Sequence, residues 1–84
     1  MIPVPSVNFK QELERLLRKN PNQIKKVEKC LSLMRVDINH PSLRLHKLNK
    51  RNYSVSVDMK IRIIVGIDGK YIHLLKIGNH DEVY

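Results

Sequence analysis

The spacing of apolar residues changes once, near the middle of the chain, and this change constrains the fold more than any other feature. In residues 6–36 apolar side chains recur every three to four positions, which is the period of an amphipathic helix. In residues 53–77 they recur mostly at every second position, which is the period of a strand. The sequence therefore predicts helices first and strands second, within one small α+β domain spanning residues 1–84.

The first half predicts two helices joined by a short link. One apolar stripe consists of Phe9, Leu13, Leu16 and Leu17. The other consists of Ile24, Val27, Leu31 and Met34. Ser6 or Asn8 can cap the first helix, and Asn20 can cap the second with Pro21 at its first position. Because the link is short, the two helices should form an antiparallel hairpin.

The second half predicts an antiparallel meander of three strands, "YSVSVD", "KIRIIVGI" and "KYIHLLKIG", with a turn at Asp68-Gly69. The last of these is the most apolar and is therefore expected in the interior of the sheet. "MIPVPSV" can add a fourth strand at an edge, where Pro3 and Pro5 are tolerated. The helices should cover the aliphatic face of the sheet. The opposite face would carry Ser54, Ser56, Lys60 and Arg62, open to a ligand.

The charge of the chain points to a polyanionic partner, either nucleic acid or an acidic protein. Sixteen Lys and Arg residues against eight Asp and Glu residues give a formal net charge of +8. The basic residues of the two helices are typical of a solvated helix face. A second basic group borders the open face of the predicted sheet and suits phosphate binding. It consists of Arg44, Lys47, Lys50, Arg51, Lys60 and Arg62.

The histidines divide into structural residues and candidates for proton transfer. His40 precedes a proline and is expected in a turn, and His73 lies among apolar neighbours of a strand. His46 and His80 can both reach the open face, and imidazole exchanges protons near neutral pH. The histidines show no paired metal-ligand spacing, so neither a metal nor another cofactor is expected.

The single cysteine and the N-terminal segment bear on the compartment. Cys30 lies in an apolar row and is expected to be a buried thiol in a reducing cytosol. "MIPVPSV" lacks the basic leader of a secretion signal, and no apolar run is long enough for a membrane span. The sequence thus predicts a soluble cytoplasmic protein with no membrane partner.

The element order, together with "HPSLRLHKL", "KIRIIV" and "IGNHDEVY", resembles the RelE/ParE superfamily of type II toxins, and most closely the RelE and YafQ-like mRNA interferases. The resemblance covers nearly the whole chain and is strongest from His40 to Tyr84. It implies a single RelE-like domain that cleaves mRNA, commonly on the ribosome, and that is neutralised by a cognate antitoxin. Contact with DNA would be indirect, through the antitoxin complex.

The resemblance also implies roles for individual residues. Arg62 matches the arginine that binds the scissile phosphate, and His80 matches the residue after the last strand that acts as a general acid or base. Tyr84 matches a terminal aromatic residue that orients a nucleotide, and His46 resembles the histidine of an "H-x-L-x-G" element. The expected RNA contacts are Lys47, Lys50, Arg51, Lys60, Ser54 and Ser56.

Two departures from the family pattern keep other functions open. RelE has two lysines on the strand where this chain has Ser54 and Ser56, so the histidines would have to carry the proton transfers. The glycine of "H-x-L-x-G" is replaced by Lys50. One alternative is a ParE-like toxin that poisons gyrase. Another is a catalytically weakened toxin that mainly binds its antitoxin.

Overall fold

A five-stranded sheet with helices against one face forms the fold. The computed structural model describes residues 1–83, apart from the side chain of residue 82. The elements in chain order are β1 (Ile2–Pro5), α1 (Val7–Lys19), α2 (Gln23–Val36), a 3₁₀ turn (Pro41–Leu43), β2 (His46–Lys47), β3 (Asn52–Ser56), β4 (Ile61–Asp68), β5 (Tyr71–Asn79) and α3 (His80–Val83). The strand order across the sheet is β1-β5-β4-β3-β2. In the part of the chain so described, no helix has the length and apolar character needed to cross a membrane.

The predicted meander of β3, β4 and β5 is confirmed, with β5 in the interior of the sheet. The expectation of a small antiparallel sheet of three to four strands is wrong, because the sheet has five strands and is mixed. β1 pairs with β5 in parallel, and the two-residue β2 pairs with β3. A strand of two residues is too short to show a period in the sequence, and apolar alternation does not specify the direction of the partner strand.

The edge position of β1 explains its two prolines. The N–H groups of Ile2 and Ser6 donate to the carbonyl oxygens of Lys70 and Leu74 at 2.7 and 2.9 Å. Because alternate residues of a strand face its neighbour, Pro3 and Pro5 lie at positions whose nitrogen faces away from the sheet. The predicted edge strand is thus confirmed.

The helix boundaries are partly those predicted. Ser6 caps α1, since its Oγ accepts a hydrogen bond from the Phe9 N–H at 3.0 Å. Asn20 does not cap α2; it ends α1, and its N–H donates to the Leu16 carbonyl oxygen at 2.9 Å. Pro21 and Asn22 form a turn, and α2 begins at Gln23. Asn20 contributes to the start of α2 only through its backbone, since its carbonyl oxygen accepts a hydrogen bond from the Gln23 N–H at 3.0 Å.

The core lies between the helices and one face of the sheet, as the sequence predicted. Its buried residues are Phe9, Val27, Cys30, Met34, Leu43, Val55, Ile61, Ile63, Val65, Ile72, Leu74 and Ile77. Cys30 is 3% exposed, and burial raises the pKa of its thiol to about 12. The thiol therefore stays protonated at neutral pH and packs as a small apolar group.

Polar side chains of α1 hydrogen-bond to the part of β5 that does not pair with β1. A bulge interrupts the pairing of β4 with β5 at Ile64/Val65, and it leaves Leu75 without a partner residue on β4. Asn8 Nδ2 donates to the Leu75 carbonyl oxygen at 2.9 Å, and the Ile77 N–H donates to Glu12 Oε1 at 3.2 Å. These bonds satisfy backbone groups at the end of β5 and so hold the strand that leads into α3.

Candidate functional site

Residues from four parts of the chain meet in one depression on the sheet face opposite the core. Its lining residues are Arg44, Leu45, His46, Arg62 and His80. Directly paired residues point to the same face of a sheet. His46 is paired with Ser54, and Ser56 is paired with Arg62, so all four lie on this face. Arg62, His46 and His80, which are far apart along the chain, line the same depression, as the sequence analysis expected for the open face.

Arg62 is oriented by a side chain beneath it. Its Nε–H donates to Ser54 Oγ at 2.7 Å. Ser54 is fully buried, with 0% of its surface exposed, so its hydroxyl is not open to a ligand as the sequence had suggested. This bond fixes the Nε edge of the guanidinium and leaves its two terminal nitrogens to bind a phosphate as a fork.

The loop before β2 brings Arg44 to the depression. His40 Nδ1 accepts a hydrogen bond from the Ser42 N–H at 3.1 Å, which confirms His40 as a turn residue. Arg44 follows this 3₁₀ turn with φ 47° and ψ 51°, in the left-handed region that is uncommon for residues other than glycine. Sequence reasoning placed Arg44 only in a basic group and not in the site, because an arginine gives no signal of this conformation.

His80 is held at the depression through its backbone. It is the first residue of α3, and its N–H donates to the Lys60 carbonyl oxygen at 3.0 Å. Its Nδ1 lies 3.7 Å from Asp81 Oδ1, which makes a loose ion pair when the imidazole is charged. Tyr84, the other residue predicted at this end of the chain, lies outside the described residues.

The turn that holds His80 is built around Asp58. Its Oδ1 accepts hydrogen bonds from the N–H groups of Lys60 and Ile61, both at 2.8 Å, and Lys26 Nζ lies 3.3 Å from its Oδ2. Ser56 Oγ donates to the Asp58 carbonyl oxygen at 2.8 Å. Partial burial raises the pKa of Asp58, but the backbone hydrogen bonds from Ile61 and Lys60, with the help of Lys26, outweigh it and hold the pKa below its usual value.

We expect Asp58→Asn to destabilise the chain by about 1 kcal/mol at neutral pH, because the amide keeps only one acceptor oxygen. A lowered pKa in the folded state stabilises the fold above the unfolded value of about 4, and this stabilisation is lost as the pH falls through the folded value. The difference in the free energy of unfolding should therefore be constant from pH 7 to pH 5 and should shrink towards pH 3. Urea unfolding across this range measures it, with Asp68→Asn, at an exposed acid of the next turn, as the control. A difference that does not change with pH would contradict this role of the carboxylate.

The residues predicted to contact RNA do not all lie at the depression that contains Arg62. Lys47 pairs with Tyr53, whose side chain packs against the core, so Lys47 lies on the opposite face from His46. Lys50 and Arg51 lie at the far end of the open face, away from Arg62. Lys60 is exposed in the turn that holds His80, and Ser56 lines a second depression together with Arg44 and Arg62.

Metal binding has little support in the arrangement of side chains. Among the side chains that the structure describes, no group of three or more His, Cys, Asp or Glu could hold a metal ion. The imidazoles of His46 and His80 are instead accompanied by the guanidinium groups of Arg44 and Arg62. The depression can therefore offer positive charge and proton exchange to an anion.

No protein-family model matches the chain, and no curated protein matches it. Several solved structures resemble it closely. The E. coli DinJ–YafQ toxin–antitoxin complex aligns with a TM-score of 0.81 at 15% identity over 98% of this chain and 94% of that chain. A metal-bound toxin from Helicobacter pylori aligns with a TM-score of 0.83 at 16% identity over 100% and 99%. The YoeB/ParE toxin from Agrobacterium tumefaciens aligns with a TM-score of 0.78 at 11% identity over 95% and 99%.

These alignments cover 94% or more of both chains, and the sequence motifs had pointed to the same group of proteins. At such low identity the likeness shows the fold. The chain therefore has the RelE/ParE toxin fold.

Proposed function

We propose that this protein is the toxin of a type II toxin–antitoxin pair and that it cleaves mRNA without a metal ion, on the ribosome. One observation carries the proposal. On a fold that it shares with toxins, Arg62, His46 and His80 line a single depression on the face of the sheet that the helices leave open.

These side chains match the needs of RNA cleavage by the neighbouring 2′-hydroxyl. The 2′-oxygen attacks the phosphorus while a base removes its proton, and an acid protonates the departing 5′-oxygen as the P–O5′ bond breaks. His46 and His80 supply the base and the acid. The terminal nitrogens of Arg62 bind the phosphate and stabilise the negative charge that develops on its oxygens. Arg44 adds a second cation at the same depression.

Primer extension on cellular mRNA after brief induction tests this activity, with the Arg62→Ala variant as the inactive control. Cuts that recur at one codon phase with the wild type alone would support a nuclease that acts on translated mRNA. Growth arrest with intact mRNA would overturn the nuclease and favour a gyrase poison. Absence of both arrest and cleavage would favour a weakened toxin that mainly binds its antitoxin.

Ser54 is expected to be a positioning residue for this reaction. Ser54→Ala removes the acceptor of the Arg62 Nε–H, so the guanidinium should lose its fixed orientation and cleavage should slow by about 10- to 100-fold. Ser32→Ala, at an exposed serine of α2, is the matched control, because it removes a hydroxyl on the helical side of the sheet, away from Arg62. Single-turnover cleavage and thermal unfolding should be measured on both variants. Equal losses of rate in the two would contradict a specific role for Ser54.

The proposed partner is an acidic antitoxin, which would reach DNA together with the toxin only as a complex. The E. coli relative was solved in a toxin–antitoxin complex, and the net charge of +8 favours an acidic protein. We expect affinity for the antitoxin to fall as NaCl rises from 50 to 500 mM, mainly through slower association. Surface plasmon resonance at several salt concentrations measures both rates. Association that does not depend on salt would assign the charge to another partner.

A further inference from the structure

Another depression, separate from the two already described, lies on the same open face of the sheet, at the opposite end from His80. It is centred on Gly66 of β4, which pairs with Asn52 of β3 and His73 of β5. The three residues form one row across the sheet, and the rim includes Lys50 and Arg51. No part of the site described above uses these residues.

Gly66 is not required by the fold. Its φ is not positive, so the backbone conformation is open to any L residue. A Cβ at this position would lie 3.8 Å from the Arg51 carbonyl oxygen, 3.8 Å from Leu75 Cδ1 and 3.9 Å from Asn52 Oδ1, which are ordinary van der Waals contacts. Glycine inside a strand costs about 0.5–1 kcal/mol relative to alanine. A glycine within a strand marks a bulge, a tight bend or the close approach of a ligand. The bulge at Ile64/Val65 lies next to Gly66, and the missing side chain also leaves room for a ligand on the open side.

The surroundings of Gly66 suit a planar, polar ligand attached to an anion. The half-buried imidazole of His73 and amide of Asn52 flank the bare backbone and offer hydrogen-bond donors and acceptors. The rim carries two cations, Lys50 and Arg51, and one carboxylate, Asp68. A nucleobase laid flat on Gly66 would have polar groups at its edges and a cation near its phosphate.

The loop that carries these cations is held in place. Asn49 Oδ1 accepts hydrogen bonds from the N–H groups of Arg51 and Asn52 at 2.9 and 3.0 Å. The Leu48 N–H donates to the Asn52 carbonyl oxygen at 2.9 Å. The backbone of the loop is therefore ordered before any ligand arrives, which lowers the entropy cost of binding.

The Arg62 depression and the Gly66 depression lie along one path on the sheet. Arg62 and Gly66 are four residues apart on β4, which is about 13 Å along the strand. Between them on the same face lie Ile64 and, beside it on β5, Lys76. A chain of a few unstacked nucleotides is long enough to span this distance, and Lys76 offers a cation between the two ends.

We propose that the Gly66 depression binds an unpaired nucleotide of the same RNA strand whose phosphate is held by Arg62. This inference rests on the proposed function and adds to it a second nucleotide subsite, outside the bond that is cleaved. Gly66 is then the floor on which the base lies, and His73 and Asn52 contact the edges of that base.

NMR titration of the ¹⁵N-labelled full chain, made by cell-free synthesis, tests the subsite. The probes are a dinucleotide and a pentanucleotide, each 2′-O-methylated throughout so that neither can be cleaved. The dinucleotide should shift signals around Arg62 only. The pentanucleotide should also shift the Gly66 amide, the Asn52 side-chain amide and the His73 ring.

Gly66→Val is the decisive variant, because valine is favoured in strands and its side chain would occupy the space above the backbone of residue 66. It should weaken binding of the pentanucleotide about tenfold or more and leave binding of the dinucleotide unchanged, while thermal stability stays the same or rises. Lys50→Ala is a second variant that leaves the strands intact, and it should reduce the salt dependence of pentanucleotide binding alone.

The outcomes separate the subsite from the proposed function. If the dinucleotide binds at Arg62 but the pentanucleotide leaves Gly66, Asn52 and His73 unmoved, the subsite is overturned and the function stands. Unchanged affinity of Gly66→Val for the pentanucleotide would overturn it as well. If neither RNA shifts the signals around Arg62, the proposed function itself fails.

Discussion

Replacing Arg62 with alanine is expected to abolish detectable RNA cleavage while the chain remains folded. The terminal nitrogens of Arg62 are the groups that would bind the scissile phosphate, and removing one donor that stabilises developing charge typically costs 10²–10³-fold in rate. The loss should be at the upper end of that range, because the guanidinium supplies a fork rather than a single donor.

The fold should survive this change. Arg62 lies on the sheet face opposite the core, and within the described part of the chain its side chain hydrogen-bonds to Ser54. Leaving the buried hydroxyl of Ser54 without this partner costs about 1 kcal/mol, which a folded domain of this size tolerates. Cleavage should therefore fall far more than the melting temperature.

Arg62→Lys tests whether phosphate binding needs the planar guanidinium fork or only a positive charge. Lysine keeps a cation but offers neither the planar fork nor an Nε–H for Ser54, so this variant should also lose most activity. Arg35→Ala, in the last turn of α2, is the matched control for loss of one arginine. Single-turnover cleavage of a short RNA and thermal unfolding distinguish the outcomes. Full activity of Arg62→Lys would mean that charge alone is sufficient, and unfolding of Arg62→Ala would make Arg62 a structural residue.

The sequence predicted the two helices and the three long strands because each repeats its apolar residues often enough to reveal a period. β2 has only His46 and Lys47, so no period could reveal it. This short strand nevertheless decides two functional assignments. Its register places His46 on the open face and Lys47 on the other, and a shift of one residue would exchange them.

The depression itself depends on long-range contacts that no local pattern encodes. The alternation of β3 correctly put Ser54 on the polar face, but its complete burial follows from the packing around it in the folded sheet. Arg44 reaches the site through a left-handed backbone conformation, and His80 is held there by the carbonyl oxygen of Lys60. For Arg62 and His80, the resemblance to known toxins supplied the residues, and the fold brought them together.

Replacing His80 with alanine is expected to slow cleavage by about 10²–10⁴-fold, which is the usual contribution of a general acid or base. The variant should keep its local structure, because the backbone N–H of residue 80 makes the bond to the Lys60 carbonyl oxygen. Any substitution except proline retains that bond. A loss of rate would then report the missing imidazole rather than a displaced α3.

The dependence of rate on pH separates proton transfer from mere positioning. If one group acts as a general acid and another as a general base, the cleavage rate should rise and then fall as the pH increases. His80→Ala should remove one limb of this pH–rate profile. His46→Ala should remove the other limb, which would assign the two roles. The double variant should cleave only slightly more slowly than the less active of the two single variants, because groups that act in one step do not contribute additively.

Added imidazole provides the sharpest test, because it can restore a missing proton carrier but not a missing structural contact. We expect it to raise the rate of His80→Ala in proportion to its concentration and to leave Arg62→Ala unchanged, since imidazole cannot replace a guanidinium fork. A pH profile of unaltered shape in His80→Ala, together with no response to imidazole, would remove His80 from the proton transfers. Arg62 and Arg44 would then remain as a phosphate-binding pair, and the depression would be a site that holds RNA without cutting it.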